Sequence, residues 1–270
     1  MKIVRKRIGL IVGLIALFVS RTVSLLSYYV GSNFKEKRIL YISDSRGFLV
    51  GSLFSYKNHF GNKLISGLKR NYAVLPIINR KKHTTLIDGL EFIRKTRLKY
   101  DLIIIHLGVV DFSPRGRTSA ELIRANKISL VAREAKNSLD SDRAEIPSTD
   151  EASAREAAMY EGEPTDSIAD QTYIAIVKSM LEEIRHPLIA ITTNEVDLTW
   201  RGNYWRERPS NMNSYLSLER EFWRNAGIPC VSLDDCSACV HETTLDNIHP
   251  SQLGFQQLEQ LVRNKIAKLH

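Results

Sequence analysis

The stretch Asp101–His106, DLIIIH, decides the fold. Its four central residues are apolar with no alternation, so both faces of the segment are buried, as in an inner strand of a parallel sheet. Working outward, RILYIS (Arg38–Ser43) and YAVLPII (Tyr72–Ile78, with an end expected near Pro76) read the same way. So do PLIAITTN from Pro187 and IPCVSL (Ile228–Leu233). Between these strands lie helical spacings. One helix is expected within Phe48–Arg70, with Leu64, Ile65 and Leu68 on one face, and another over Thr85–Arg97, with Leu86, Leu90 and Ile93. Gln171–Arg185, Asn213–Asn225 (Tyr215, Leu218, Phe222, Trp223) and Ser251–Leu269 complete the set. The order βαβαβ, a long connection, then βαβα predicts a three-layer α/β/α sandwich with about five parallel strands.

At 270 residues with 43% hydrophobic and 25% charged side chains, the chain has enough apolar content for a sizeable core. That composition excludes a disordered chain, a collagen or a disulfide-stapled miniprotein. The domain is expected over residues 38–270, with an acidic, solvent-exposed insertion at about 138–167; from Glu134 to Asp170 there are eleven acids against three bases. The net charge is +8, yet no basic stripe coincides with a nucleic-acid recognition motif, so nucleic acid is not the expected partner. An acidic glycan or anionic lipid headgroups account for the basic surface equally well.

Residues 1–37 form a separate segment. MKIVRKR carries four positive charges in seven residues, and IGLIVGLIALFVS (Ile8–Ser20) is apolar. Arg21 interrupts before TVSLLSYYV carries the run to Val30. The segment lacks a small-x-small cleavage site, and Ile8–Val30 is long enough to span a bilayer with one arginine near its middle. A hydrophobic membrane anchor or export signal is expected, with a helix lying on the domain or on a bilayer surface as the alternative. Cys230, Cys236 and Cys239 fall short of a four-ligand zinc set and are read as ordinary thiols or one disulfide. No metal and no cofactor are expected; the first turn lacks a glycine-rich dinucleotide pattern.

In a parallel sheet the crevice lies beyond the carboxyl ends of the strands, so the strand-end turns are the places to look. Ser45, in Ser43-Asp44-Ser45-Arg46-Gly47, follows the first strand directly. Alone it reads as a helix cap, and Asp44 likewise. The last turn, Asp246-Asn247-Ile248-His249-Pro250, spaces an acid and a histidine three apart, so that Asp246 can hold the Nδ1 proton and leave Nε2 as a base. Ser45, His249 and Asp246 together supply a nucleophile, a base and an orienting acid. The third turn, Gly108-Val109-Val110-Asp111, allows close backbone approach at Gly108 and offers Asp111 either to orient the first turn or to cap the next segment.

These three blocks in this order resemble the SGNH/GDSL hydrolase superfamily, over about Arg38 to His270. Ser43-Asp44-Ser45 matches the Gly-Asp-Ser block, Gly108-Val109-Val110-Asp111 the Gly-x-Asn-Asp block, and Asp246-Asn247-Ile248-His249 the Asp-x-x-His block. The resemblance implies an SGNH, flavodoxin-like fold and a serine esterase acting through Ser45, His249 and Asp246. It also implies an oxyanion hole in which an asparagine takes part. Here that position is Val110, and no second-block glycine follows the second strand, where the chain reads NRKKHT; Arg46, His83 and Asn194 are the candidate replacement donors. The wording HLGVVDFSPR (His106–Arg115) resembles a subgroup found with bacterial polysaccharide biosynthesis. That implies an acylated, chiefly O-acetylated, glycan as substrate and a place at the bacterial inner membrane with the domain outside the cytoplasm, or exported; a cytoplasmic, membrane-associated place is the alternative. Membrane-bound biosynthetic proteins are possible partners. Acyl transfer to a sugar, and a weak or inactive glycan-binding or assembly role, remain alternatives to hydrolysis. Trp200, Arg201, Asn203, Arg206 and Arg208, after the fourth strand, are the candidate sugar contacts: aromatic rings suit sugar faces and guanidinium groups suit anions.

Overall fold

A computed structural model describes residues 22–35, 37–48, 62–79, 83–137, 165–203 and 208–269. Its centre is a five-stranded sheet of β1 (Arg38–Ser43), β2 (Ala73–Ile78), β3 (Leu102–His106), β6 (Leu188–Ile191) and β7 (Cys230–Val231), in the order β2-β1-β3-β6-β7. All four pairings are parallel. The five-strand expectation holds. Pro76 does not end β2 but sits inside it, opposite Tyr41. This is tolerated because β2 is an edge strand, where a missing N–H costs no ladder bond.

Alternation along the strands separates two cores. Leu40, Ile42, Ile103 and Ile105 point to one face, where α3 (Leu86–Lys95), α6 (Gln171–Glu182) and α7 (Met212–Asn225) cover them. Ile39, Tyr41, Leu102 and Ile104 point to the other, under α2 (Lys63–Leu68) and α9 (Gln252–Lys268). The result is the expected α/β/α layering. The chain leaves β1 toward β2 on one side and continues from β3 on the other, so the strand order reverses between β1 and β3. A topological switch of this kind opens a crevice at the carboxyl ends of those strands.

Several elements differ from the sequence reading. α5 (Arg117–Asn137) was not expected as a helix: Ala120 and Ile123 are buried but Leu122 is exposed, so its apolar residues make no single stripe. The two-residue strands β4 (Arg115–Gly116) and β5 (Thr165–Asp166) pair antiparallel and join the chain on either side of the acidic region. The rest of that expected insertion, residues 138–164, lies outside the described residues, as does 49–61 of the first expected helix. In α7 the buried face is Met212, Leu216, Glu219, Phe222 and Trp223, while Leu218 is exposed. Residues 22–31 are helical, and residues 1–21 lie outside the described residues. Among the described residues no helix is long and apolar enough to cross a membrane.

Candidate active site

Ser45 opens a single 3-10 turn, Ser45–Gly47, at the end of β1. It is exposed between two buried neighbours, Asp44 and Arg46. Asp44 caps the turn by accepting the Arg46 backbone N–H at 2.8 Å. The Arg46 guanidinium folds back on the same carboxylate, with Nε 3.1 Å from Oδ1, and reaches Thr193 Oγ1 at the end of β6, 2.8 Å away. Ser45 therefore stands on a buried ion pair that ties β1 to β6. Burial lowers the Arg46 pKa, but the charges of Asp44 and Glu219 outweigh it and hold the group above its ordinary value.

His249 is carried by a five-residue turn closed by the Leu245 N–H donating to the His249 carbonyl at 2.9 Å and by the Thr244–Pro250 bridge. Ser251 then caps α9 by accepting the Gly254 N–H. Within the turn, the His249 N–H donates to Asp246 Oδ1 at 2.8 Å, and its ring Nδ1 lies 2.9 Å from Asp246 Oδ2. On the other side of the ring, Nε2 lies 3.1 Å from Ser45 Oγ, 204 residues away in sequence. Burial raises the Asp246 pKa, but hydrogen bonds from the His249 ring and from the His249 and Ile248 amides outweigh it and hold the carboxyl at about 2. The anion thus stays in place to fix the imidazole's Nδ1 proton, leaving Nε2 as an acceptor facing the serine.

Asn247 was not singled out in the sequence, yet it does the most to shape this turn. Fully buried at φ +74, it occupies the left-handed region that asparagine enters more readily than most residues. Its Oδ1 accepts the Asp197 N–H at 2.9 Å, and its Nδ2 donates to the carbonyls of Asp197 and Trp200. An asparagine between the acid and the histidine was the only legible signal.

The replacement oxyanion donors fare differently from their expectation. Both Nδ2 protons of Asn194 are committed, to the Glu195 carbonyl at 2.7 Å and the Asn247 carbonyl at 2.9 Å, so Asn194 braces the histidine turn. Arg46 is 1% exposed and spends its donors on Asp44 and Thr193, beneath the crevice. Asp111 does not reach the first turn. It accepts the Leu86 N–H at the start of α3, 3.0 Å away, and the Tyr173 hydroxyl; burial pushes its pKa up to about 7. His83, at φ +56, has its Nδ1 3.4 Å from Arg115 Nη1. Arg115 Nη2 donates to the Val110 carbonyl at 2.9 Å, so Arg115 joins the second and third turns. Gly108, at φ +123, begins α4 (Val109–Phe112), and a side chain there would run into the Glu219 carboxylate.

Glu219 was not foreseen either. It lies fully buried on the inner face of α7, accepts the Thr193 N–H at 3.2 Å, and burial pushes its pKa up to about 7. An acid on the buried stripe of an amphipathic helix was the available sign. Of the proposed sugar contacts, Trp200 is half-buried, its ring 4.4 Å from that of His241, whose Nε2 pairs with Asp197 at 2.7 Å. Arg201 and Asn203 are exposed, and the Asn203 N–H holds the Leu245 carbonyl at 2.9 Å. Arg208 donates to the Asp246 carbonyl at 2.9 Å, which makes it a brace of the acid's turn, while Arg206 lies outside the described residues. The three cysteines are free thiols, and burial pushes the Cys230 pKa up to about 11, away from nucleophilic use.

No family model matches the chain, and no curated protein matches it. Solved structures do. A lipase/acylhydrolase from Enterococcus faecalis is 18% identical with a TM-score of 0.48, over 85% of this chain and 95% of that one. A GDSL-like lipase from Bacteroides thetaiotaomicron is 15% identical with a TM-score of 0.48, over 87% and 90%. An acetylxylan esterase from Geobacillus stearothermophilus, solved as a catalytic mutant, is 13% identical with a TM-score of 0.47, over 86% and 94%. None of these likenesses carries a reaction over to this chain.

Proposed function

We propose that the protein is a serine esterase that removes an acyl group, chiefly acetyl, from a carbohydrate. The observation that carries this reading is the unbroken series from Ser45 Oγ to His249 Nε2 at 3.1 Å and from His249 Nδ1 to Asp246 Oδ2 at 2.9 Å, with the serine exposed at the topological switch of the sheet. His249 takes the hydroxyl proton as Ser45 Oγ bonds to the ester carbon. Asp246 stabilises the imidazolium that forms. The tetrahedral oxyanion collapses, the sugar oxygen leaves with the proton from His249, and an acyl-serine remains. Water, deprotonated by the same imidazole, releases the acid; a sugar hydroxyl in its place gives acyl transfer. The Trp200–Asn203 loop, fastened to the histidine turn through Asn247 and Leu245, brings an indole and Arg201 to the same end of the sheet, where a sugar ring with an anionic substituent fits.

A second reading is supported by the commitments of Asn194 and Arg46. With these donors occupied and valine at position 110, an SGNH-like scaffold that binds glycan with little turnover also fits. Acetate release from acetylated oligosaccharide and from p-nitrophenyl acetate separates the two. Hydrolysis by the wild type, with Ser45→Ala lower by about a thousandfold or more, is the expected outcome. Equal rates would remove Ser45 from the chemistry. Glycan binding without release in either protein would establish the binding role.

A further inference from the structure

The helix of residues 22–31 gives only a narrow strip to the domain. Ser24 and Tyr28, four residues apart, are buried, the Tyr28 hydroxyl donates to the Lys99 carbonyl, and Gly31 packs close to Ala73. The remaining surface is open and mostly apolar, with Thr22, Ser27 and Asn33 exposed among the apolar side chains: Val23, Leu25, Leu26, Tyr29 and Val30 are 40–59% exposed, and Phe34 just beyond is 84% exposed. So much large apolar surface on three turns is unusual for a face left to water. The sequence ahead of it, Ile8–Ser20, is apolar as well.

The surroundings are basic. Lys35 Nζ donates to the Lys69 carbonyl, and burial together with the Lys35 charge lowers the Lys69 pKa. Arg70, Arg97 and Lys99 are exposed on the same end of the sheet. That end is defined by the contacts of the segment itself. Lys99, Ala73 and the Lys37 carbonyl, which accepts the Ala73 N–H, all lie at the amino ends of β3, β2 and β1. Ser45 lies at the opposite end, across the six residues of β1, a span of about 20 Å.

We propose that the exposed face of residues 22–34 lies in an anionic bilayer, with the basic rim against the headgroups and the Ser45–His249 crevice turned away from the lipid. An apolar helix face bordered by lysine and arginine has the make-up of an interfacial helix. A protein partner would satisfy the apolar face, but it would not explain why cations crowd the rim and why the preceding sequence is apolar too. The orientation restricts the substrate: the ester must be carried on a chain extending into water, because an ester at lipid depth is out of reach. This inference stands apart from the chemistry of Ser45.

The test uses the full chain with vesicles of phosphatidylcholine alone or mixed with phosphatidylglycerol, carrying doxyl-labelled lipid. Leu26→Trp is expected to add emission that the doxyl lipid quenches, and binding is expected to be tighter to the phosphatidylglycerol vesicles. Trp200, fastened to the histidine turn at the Ser45 end of the sheet, is expected to stay unquenched, its emission read as the difference between the wild type and Trp200→Phe. Vesicle-bound protein in which the added tryptophan is not quenched overturns the lipid contact. Quenching of Trp200 overturns the orientation. A reversible dimer in sedimentation that Leu26→Glu abolishes, with no vesicle binding, would assign the face to a second copy of the chain and overturn the proposal as well.

Discussion

The two flanks of the crevice are built in different ways. On the Ser45–His249 flank, each polar side chain has a named partner: Asp44 holds Arg46, Asp246 holds His249, and Asn194 and Asn247 fasten the histidine turn to the strand end and the loop beside it. On the Val110 flank, the side chain at the position of the expected asparagine is aliphatic, and the polar work of that turn passes to Arg115, which grips the Val110 carbonyl. In the proposed esterase, proton relay and oxyanion binding would thus be separable pieces of construction. The first needs an acid and a base three residues apart and one serine. The second needs donors converging from turns on different strands.

Breaking the well-built flank should have the largest effect. Arg46 and Asp44 are 1% and 4% exposed at the side chain, so Arg46→Met leaves a buried carboxylate without its guanidinium. A loss of about 3–5 kcal/mol is expected, because removing one partner of a buried pair strands the other charge. Urea unfolding of the variant against the wild type measures it. A midpoint unchanged within error would mean that water or another cation replaces the guanidinium, and the first turn would no longer count as braced from below.

Adding to the sparse flank sharpens the comparison from the other side. Val110→Asn places an amide where the resemblance calls for one. A second donor to the oxyanion acts in the transition state more than in the ground state. The expected result is about a tenfold rise in kcat on p-nitrophenyl acetate with little change in KM. A kcat that stays level or falls would show that this flank already has its donors, or that the side chain at 110 does not face the oxyanion.

The contrast also explains what the sequence made legible. DLIIIH and RILYIS announced inner strands because burial on both faces leaves no alternation, and the Asp246–His249 pair announced itself because its contact is local. Asn194, Arg46 and Asp111 were expected at the oxyanion or the first turn, and each is engaged elsewhere: with the Asn247 carbonyl, with Asp44, and with the amino end of α3. A strand-end position shows that a side chain is near the crevice. It does not show which donors are already taken, since several of those partners come from distant elements, such as Thr193 for Arg46 and Leu86 for Asp111, at separations of 147 and 25. α5 was illegible for another reason: without a continuous apolar stripe, periodicity gives no signal.

The smallest expected effect concerns the carboxyl groups behind both flanks. Burial raises Glu219 and Asp111 to about 7, so the folded protein holds their protons more tightly than the unfolded chain does. Their contribution is complete below the unfolded carboxyl range and is lost as pH rises through about 7. Asp246 runs the other way: its folded pKa of about 2 makes its contribution present above the unfolded value and lost as pH falls toward 2. Stability is therefore expected to decline from about pH 5 to pH 8, by roughly 1 kcal/mol or more for Glu219 alone. In Glu219→Gln the amide oxygen can still accept the Thr193 N–H, so the fold is kept while the titration is removed. Urea midpoints at pH 5 and pH 8 should lie closer together in this variant than in the wild type. An equal gap in both proteins would mean that Glu219 is ionised in the fold at pH 5 already, held so by Arg46, and the buried layer beneath Ser45 would then carry its charges in full.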